Sequence, residues 1–142
     1  MESQELHITI PLNPVTKKNS QQIVHTKDGR PFILPSKQYK DYERESRYWL
    51  SRYRNRAGFP FYHPVEVTCL FYRKTRHKVD LTNLLEAIDD ILVKYGVLDD
   101  DNSQIIVSHD GSRVLYDKDN PRTEIYIRRY TSEQGKPMSA NH

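Results

Sequence analysis

The sequence predicts an α/β fold of the α+β kind, a small mixed β-sheet with two main helices packed on it, and three observations carry that expectation. Short segments such as Val65, Val67, Cys69 and Phe71 place apolar residues at every second position, the period of a half-buried strand. Two longer segments, one after Ser36 and one after Asp80, repeat their apolar residues at helical spacing. Pro and Gly clusters separate these segments. With 142 residues the chain has the size of one domain, able to bury a core without disulfides or structural metal.

Taken in order, His7 to Leu12 (HITIPL) alternates and ends at Pro11 and Pro14, a short strand leading into the loop TKKNSQQ. Lys27-Asp28-Gly29 reads as a hairpin turn between QQIVH and RPFIL, because Asp-Gly suits the positive φ of tight turns. Ser36 is the expected N-cap of a first helix of about four or five turns, with Tyr39, Tyr42, Trp49, Leu50 and Tyr53 on its apolar side. Gly58 to Pro64 closes that helix, and Pro64 to Arg73 forms the next strand, running into the basic stretch RKTRHK. Asp80 caps a second helix whose buried stripe is Leu81, Leu84, Leu85, Ile88, Leu92 and Tyr95, and Gly96 stops it. The loop DDDNS leads to the apolar run QIIVS, then a turn through HDGS and, beyond Pro121, a last strand TEIYIRRY. The domain is assigned to residues 1–131; the polar tail 132–142 lacks periodicity and is read as disordered.

Composition narrows the class of function. The only cysteine, Cys69, lies in an apolar run and is read as a buried hydrophobe in a reducing compartment. The N-terminus is acidic where a signal peptide is basic, and no apolar run approaches membrane-spanning length, so a cytoplasmic protein is expected. No glycine-rich phosphate loop and no paired-cysteine zinc pattern is present, which argues against a nucleotide cofactor. The net charge is only +3, but acids concentrate between Glu86 and Asp101 while Lys and Arg gather at 17–18, 52–56, 73–78 and 128–129. An acidic island in a basic chain suits a metal-dependent phosphodiesterase, in which cations hold backbone phosphates and carboxylates hold metal; an ordinary mixed surface is the alternative.

The informative stretch is KVDLTNLLEAIDDILVKYGVLDDDNSQI, residues 78–105. Helical spacing puts Asn83, Glu86 and Asp90 on the face opposite the leucines, and Asp99, Asp100 and Asp101 follow in a loop expected to bring carboxylates back toward Asp80. Such oxygen ligands suit Mg²⁺ or Mn²⁺ rather than zinc. The plain alternative makes Asp80 an N-cap, Glu86, Asp89 and Asp90 a solvated face, and DDDN a polar turn. His77 and His109 flank the stretch, either as phosphate or acid–base groups or as exposed side chains.

The stretch resembles the RusA-like Holliday junction resolvases, small crossover-junction endodeoxyribonucleases. The match is Asp80-Leu81-Thr82-Asn83, the leucine-bearing helix, Gly96-Val97-Leu98, and Asp99-Asp100-Asp101 ahead of Gln104-Ile105; the proline-rich PLNPVTKKNS at 11–20 is a weaker second match. The resemblance implies a RusA-like fold, metal ligation by Asp80 and by one of Asp100 and Asp101, and an organising role for Asn83. Counting from Gly96 favours Asp101 and counting back from Gln104 favours Asp100. Asp90 matches a supporting aspartate. Two departures stand out: Thr82 replaces an aspartate and Glu86 replaces a lysine. Thr82 and Glu86 are four apart on one helix face, so either Glu86 has become the replacement ligand or metal binding is weakened.

The expected function is a Mg²⁺-dependent endodeoxyribonuclease, with Mn²⁺ able to substitute, that resolves four-way junctions or other branched DNA. The competing expectation is a junction-binding module of the same fold that no longer cuts. Candidate DNA contacts are Lys17, Lys18, Asn19, Arg73, Lys74, Arg76 and Lys78. A homodimer is expected, because a two-fold-symmetric junction needs two opposed cuts. Its interface is assigned to Leu6–Ser20 or to the first helix.

Overall fold

The computed structural model describes residues 5–17, 22–34, 36–53, 61 and 63–130. Nine elements follow in the order β1 (Glu5–Ile10), β2 (Gln22–His25), β3 (Pro31–Leu34), α1 (Lys37–Leu50), β4 (Val65–Arg73), α2 (Leu81–Lys94), β5 (Ile106–Ser108), β6 (Arg113–Tyr116) and β7 (Arg122–Arg129). The expected mixed sheet with two helices is therefore observed. Lys18, Asn19, most of the loop from Gly58 to Pro64 and the tail 132–142 lie outside the described residues.

The main sheet has β7 at its centre, antiparallel to β1 on one side and to β4 on the other. The far edge of β4 is shared by two short parallel strands, β5 beside Val65 and Glu66 and β6 beside Leu70 to Arg73. Helix α2 is the crossover between the parallel strands β4 and β5, which no hairpin turn can join. Strands β2 and β3 form a separate antiparallel hairpin, with Gly29 at a φ of 86° in the predicted turn. β6 is the element that sequence reading missed; its residues are largely exposed, so RVLY lacks the clear in-out contrast of the other strands.

One face of the sheet is dry. Leu6, Ile8 and Ile10 of β1, Ile125 and Ile127 of β7, and Val65, Val67, Cys69 and Phe71 of β4 pack against both helices. Each such aliphatic side chain removed from water contributes about 1.5–3 kcal/mol. On α2 the buried residues are Leu84, Ala87, Ile88, Asp89, Ile91 and Leu92. The core stripe is thus rotated from the predicted one, with Ala87 and Ile91 inside and Leu81, Leu85 and Tyr95 at its margin. Cys69 is buried as expected, and burial pushes its thiol pKa up, which leaves it inert.

Caps set the helix boundaries. Ser36 accepts a bond from the Tyr39 amide and Asp80 one from the Thr82 amide. At the end of α2, Gly96 adopts a φ of 81° while its amide bonds Val93 O and the Val97 amide bonds Leu92 O at 2.9 Å. This paired closure turns the chain sharply. It buries Val97 and Leu98 and presents the following aspartates at the surface.

Candidate functional site

The acidic residues divide between two places along α2. At its start, Asp80 is exposed and its Oδ1 accepts the Thr82 amide at 2.8 Å. Thr82 and Glu86 are exposed and Asn83 half-buried, along the surface side of the helix. Toward the far end, Asp90 meets Asp101, and Asp101 in turn meets Asp100. Partial burial, then the hydrogen bond and charge of Asp90, then those of Asp100, push the Asp101 carboxyl up.

Local hydrogen bonds hold that cluster. Asp100 Oδ1 accepts the Asp101 amide at 2.7 Å, Asp100 Oδ2 accepts Asn102 Nδ2 at 3.1 Å, and Asn102 Oδ1 accepts the Gln104 amide at 2.9 Å. Asx turns of this kind fix a short polar loop without secondary structure. The ammonium of Lys17, from the loop after β1, donates to Asp90 Oδ2 and lies 5.7 Å from the Tyr39 ring centroid. Lys17, expected at a DNA phosphate, is thus the counter-charge of an aspartate.

The loop carboxylates were expected to return to Asp80, and within one chain they do not. Asp80 and Asp90 are ten residues apart on α2, about 15 Å at the helical rise. Because Asp101 lies close enough to Asp90 for that carboxylate to raise its pKa, it belongs to the far end. The reason is topological: β5 starts beside Val65, at the opposite end of β4 from the loop that leads into Asp80. Among the described residues, no group of three or more His, Cys, Asp or Glu side chains is arranged to hold a metal ion. The side chains at the far end do supply carboxylate oxygens, the donor type that a hard cation takes. Among the described residues Lys17 pairs with Asp90 alone, which leaves Asp100 and Asp101 beside it without a lysine, and repulsion among carboxylates is what a divalent ion relieves.

The plain alternative puts Asp89 on a solvated face and leaves His109 either a phosphate or acid–base group or an exposed side chain; the structure instead pairs the two. Asp89 is buried, because α2 turns it toward the sheet beside Ala87 and Ile88. His109 Nε2 lies 2.8 Å from Asp89 Oδ2, and His109 Nδ1 donates to Val67 O at 2.8 Å. Burial raises the Asp89 pKa despite the imidazole, whereas the Asp89 carboxylate raises that of His109 despite burial. Sequence spacing gave one signal for this pair: position 89 follows Ile88 on the apolar side of α2.

The basic stretch is ordered by its own contacts. Arg73 donates to the His77 carbonyl at 2.8 Å, the Asp117 amide donates to Arg73 O at 2.8 Å, and the Lys74 amide donates to Asn13 Oδ1 at 2.9 Å. Arg73 is half-buried, and desolvation lowers its pKa, so it braces this loop rather than standing free in solvent. Lys74 and Lys78 are exposed, and the Arg76 guanidinium lies over the Tyr116 ring at 4.0 Å. No helix among the described residues is long and apolar enough to cross a membrane.

Compared with known proteins, the chain matches no curated protein. The family model of the endodeoxyribonuclease RusA matches residues 11–128, a span holding the proline-rich loop, Asp80, Asn83, Asp90, Asp100 and Asp101. With most of its length covered by that match and the motif residues set along and just beyond α2, this chain belongs to the RusA endodeoxyribonuclease family.

Proposed function

We propose that this protein is a divalent-metal-dependent endonuclease acting on branched DNA such as a four-way junction, and that it works as a homodimer. The observation that carries the reading is the gathering of Asp90, Asp100 and Asp101 at one place, where partial burial and then the two neighbouring carboxylates push the Asp101 carboxyl up, on a chain of an endodeoxyribonuclease family. A bound Mg²⁺ or Mn²⁺ supplies a water of lowered pKa and neutralises charge on the leaving oxygen. Asp100, Asp101 and Asp80 are the carboxylates that would hold it, with Glu86 as the added ligand of this sequence. Lys17 holds Asp90, Asn83 orders the helix face, and Lys74 and Lys78 hold backbone phosphates.

The separation of Asp80 from Asp101 supports a site completed by a second copy. A two-fold axis across the exposed face of α2, beside the loop that carries Lys17, turns the helices antiparallel. The Asp80 end of each copy then meets the Asp100–Asp101 end of the other. Two such sites match the two strands of a symmetric junction.

Mixing two inactive variants tests this. If Asp80→Asn and Asp101→Asn protein are each inactive, exchange of subunits should restore nicking of a labelled junction to about a quarter of the unaltered site concentration. Half of the dimers are mixed, and each carries one intact site. No recovery after verified exchange would place all ligands within one chain. No cleavage by unaltered protein with Mg²⁺ or Mn²⁺ would leave a junction-binding module, the reading that the loss of an aspartate at Thr82 favours.

A further inference from the structure

The edge of the sheet beyond β4 carries features that hydrolysis does not use. Val107 of β5 and Val114 and Tyr116 of β6 are 38%, 36% and 39% exposed, the apolar outer side of two short edge strands. Natural sheet edges are ordinarily blunted by charge, and here two valines and an aromatic ring are exposed among cations, the combination that a base and its flanking phosphates would meet. Across from β6, residues 75–77 wall a cleft of about 310 Å³ lined by Thr75, Arg76, His77, Val114, Leu115 and Tyr116. Among the described residues its lining contains no carboxylate. The Arg76 guanidinium lies 4.0 Å from the Tyr116 ring centroid, inside stacking distance, and Lys74, Lys78 and Arg113 are exposed nearby in the chain.

We propose that the Arg76–Tyr116 pair is a base-stacking shelf that takes one unpaired nucleotide of a branched DNA. This rests on the endonuclease reading above and deepens it, from phosphate contacts alone to a contact with a base. A phenol and a guanidinium each offer a flat face to any nucleobase, and stacking of this kind is tolerant of sequence. Val114 supplies an apolar floor, and the cations around the cleft suit the phosphates on either side of the base. The shelf is rigid in advance, because Arg73 ties the His77 carbonyl and its own carbonyl takes the Asp117 amide. It is also close to the chemistry: Asp80 follows His77 by three residues, a reach of at most about 10 Å. Arg76 therefore has a different role from Lys74 and Lys78, one that depends on planarity as well as charge.

The test uses the full chain without divalent metal, a four-way junction with one unpaired nucleotide at the branch, and a linear duplex of the same sequence. Tyr116→Ala should weaken binding to the branched DNA about tenfold. It should leave the duplex affinity and the salt dependence unchanged, and Tyr116→Phe should behave as the unaltered protein. Arg76→Lys should not substitute for Arg76. A 5-iodouracil at the unpaired position should photocrosslink to Tyr116 in the unaltered protein, a readout independent of how any variant folds. Equal weakening on both DNAs, or crosslinks only elsewhere, would overturn the shelf. Unchanged DNA binding with loss of self-association in Tyr116→Ala would make the edge a protein contact and overturn it too. If the unaltered protein neither prefers nor cuts branched DNA, the endonuclease reading falls with it; if it does both and Tyr116→Ala has no effect, the shelf alone falls.

Discussion

The imidazole of His109 joins the sheet to the acidic helix, with Nδ1 on Val67 O of β4 and Nε2 2.8 Å from Asp89 Oδ2 of α2. A carbonyl only accepts, so Nδ1 carries a hydrogen. A bond at Nε2 then requires a second proton, on the ring or on Asp89. Both pKa values are raised, in keeping with a pair that retains this proton. A folded-state pKa above the unfolded one contributes stability that is full below the unfolded value and lost as pH rises through the folded value. For His109 that loss begins above about pH 6.5. We expect His109→Ala to cost about 3 kcal/mol near pH 6, because it strands a buried aspartate. The cost should shrink toward pH 9. Urea unfolding at both pH values checks this, and a cost independent of pH would refute the shared proton.

Asp80→Asn should abolish cleavage and leave junction binding intact or tighter, since it removes a cation-binding charge and no basic contact. The neutral amide still caps α2, so stability should fall by less than about 1 kcal/mol. Gel-shift and cleavage assays on one preparation separate these effects. Activity within a few-fold of the unaltered enzyme would remove Asp80 from the site.

Thr82 and Glu86 are exposed one turn apart on α2, so a carboxylate at either position occupies the same side of the helix. Glu86→Lys should weaken Mn²⁺ binding, and Thr82→Asp should strengthen it. Calorimetric titration showing neither change would make Glu86 a plain surface residue.

Asp101 is held up first by partial burial and then by Asp90 and Asp100, so its ionisation costs the fold something when no cation is bound. By the sign of a raised acid pKa, stability falls as pH rises through its titration. Asp101→Asn should remove that fall and raise metal-free stability at neutral pH by up to about 0.5 kcal/mol, the small value fitting an exposed group. The same variant should lose the gain in melting temperature that Mn²⁺ gives the unaltered protein. Calorimetric melts with and without Mn²⁺ read both effects.

Light scattering at micromolar concentration should give the mass of two chains. A mass of one chain, unchanged by junction DNA, would contradict the dimer and the shared site together.

Periodicity and punctuation determined much of this protein in advance. The strands around Ile8, Val67 and Ile125, the caps Ser36 and Asp80, the stop at Gly96 and the acidic content of α2 and its following loop were all legible, because each depends on residues within a few positions of one another. What only the tertiary structure decided were relationships that depend on which ends of elements meet. The parallel β4–α2–β5 crossover sends Asp101 to Asp90 and away from Asp80. Packing turns Asp89 inward onto His109, twenty residues later. A strand too exposed to show a pattern brings Tyr116 beneath Arg76, forty residues earlier. Local chemistry fixes elements, but a contact between distant positions is set by sheet order and helix rotation, which minimise exposed apolar surface over the whole chain at once.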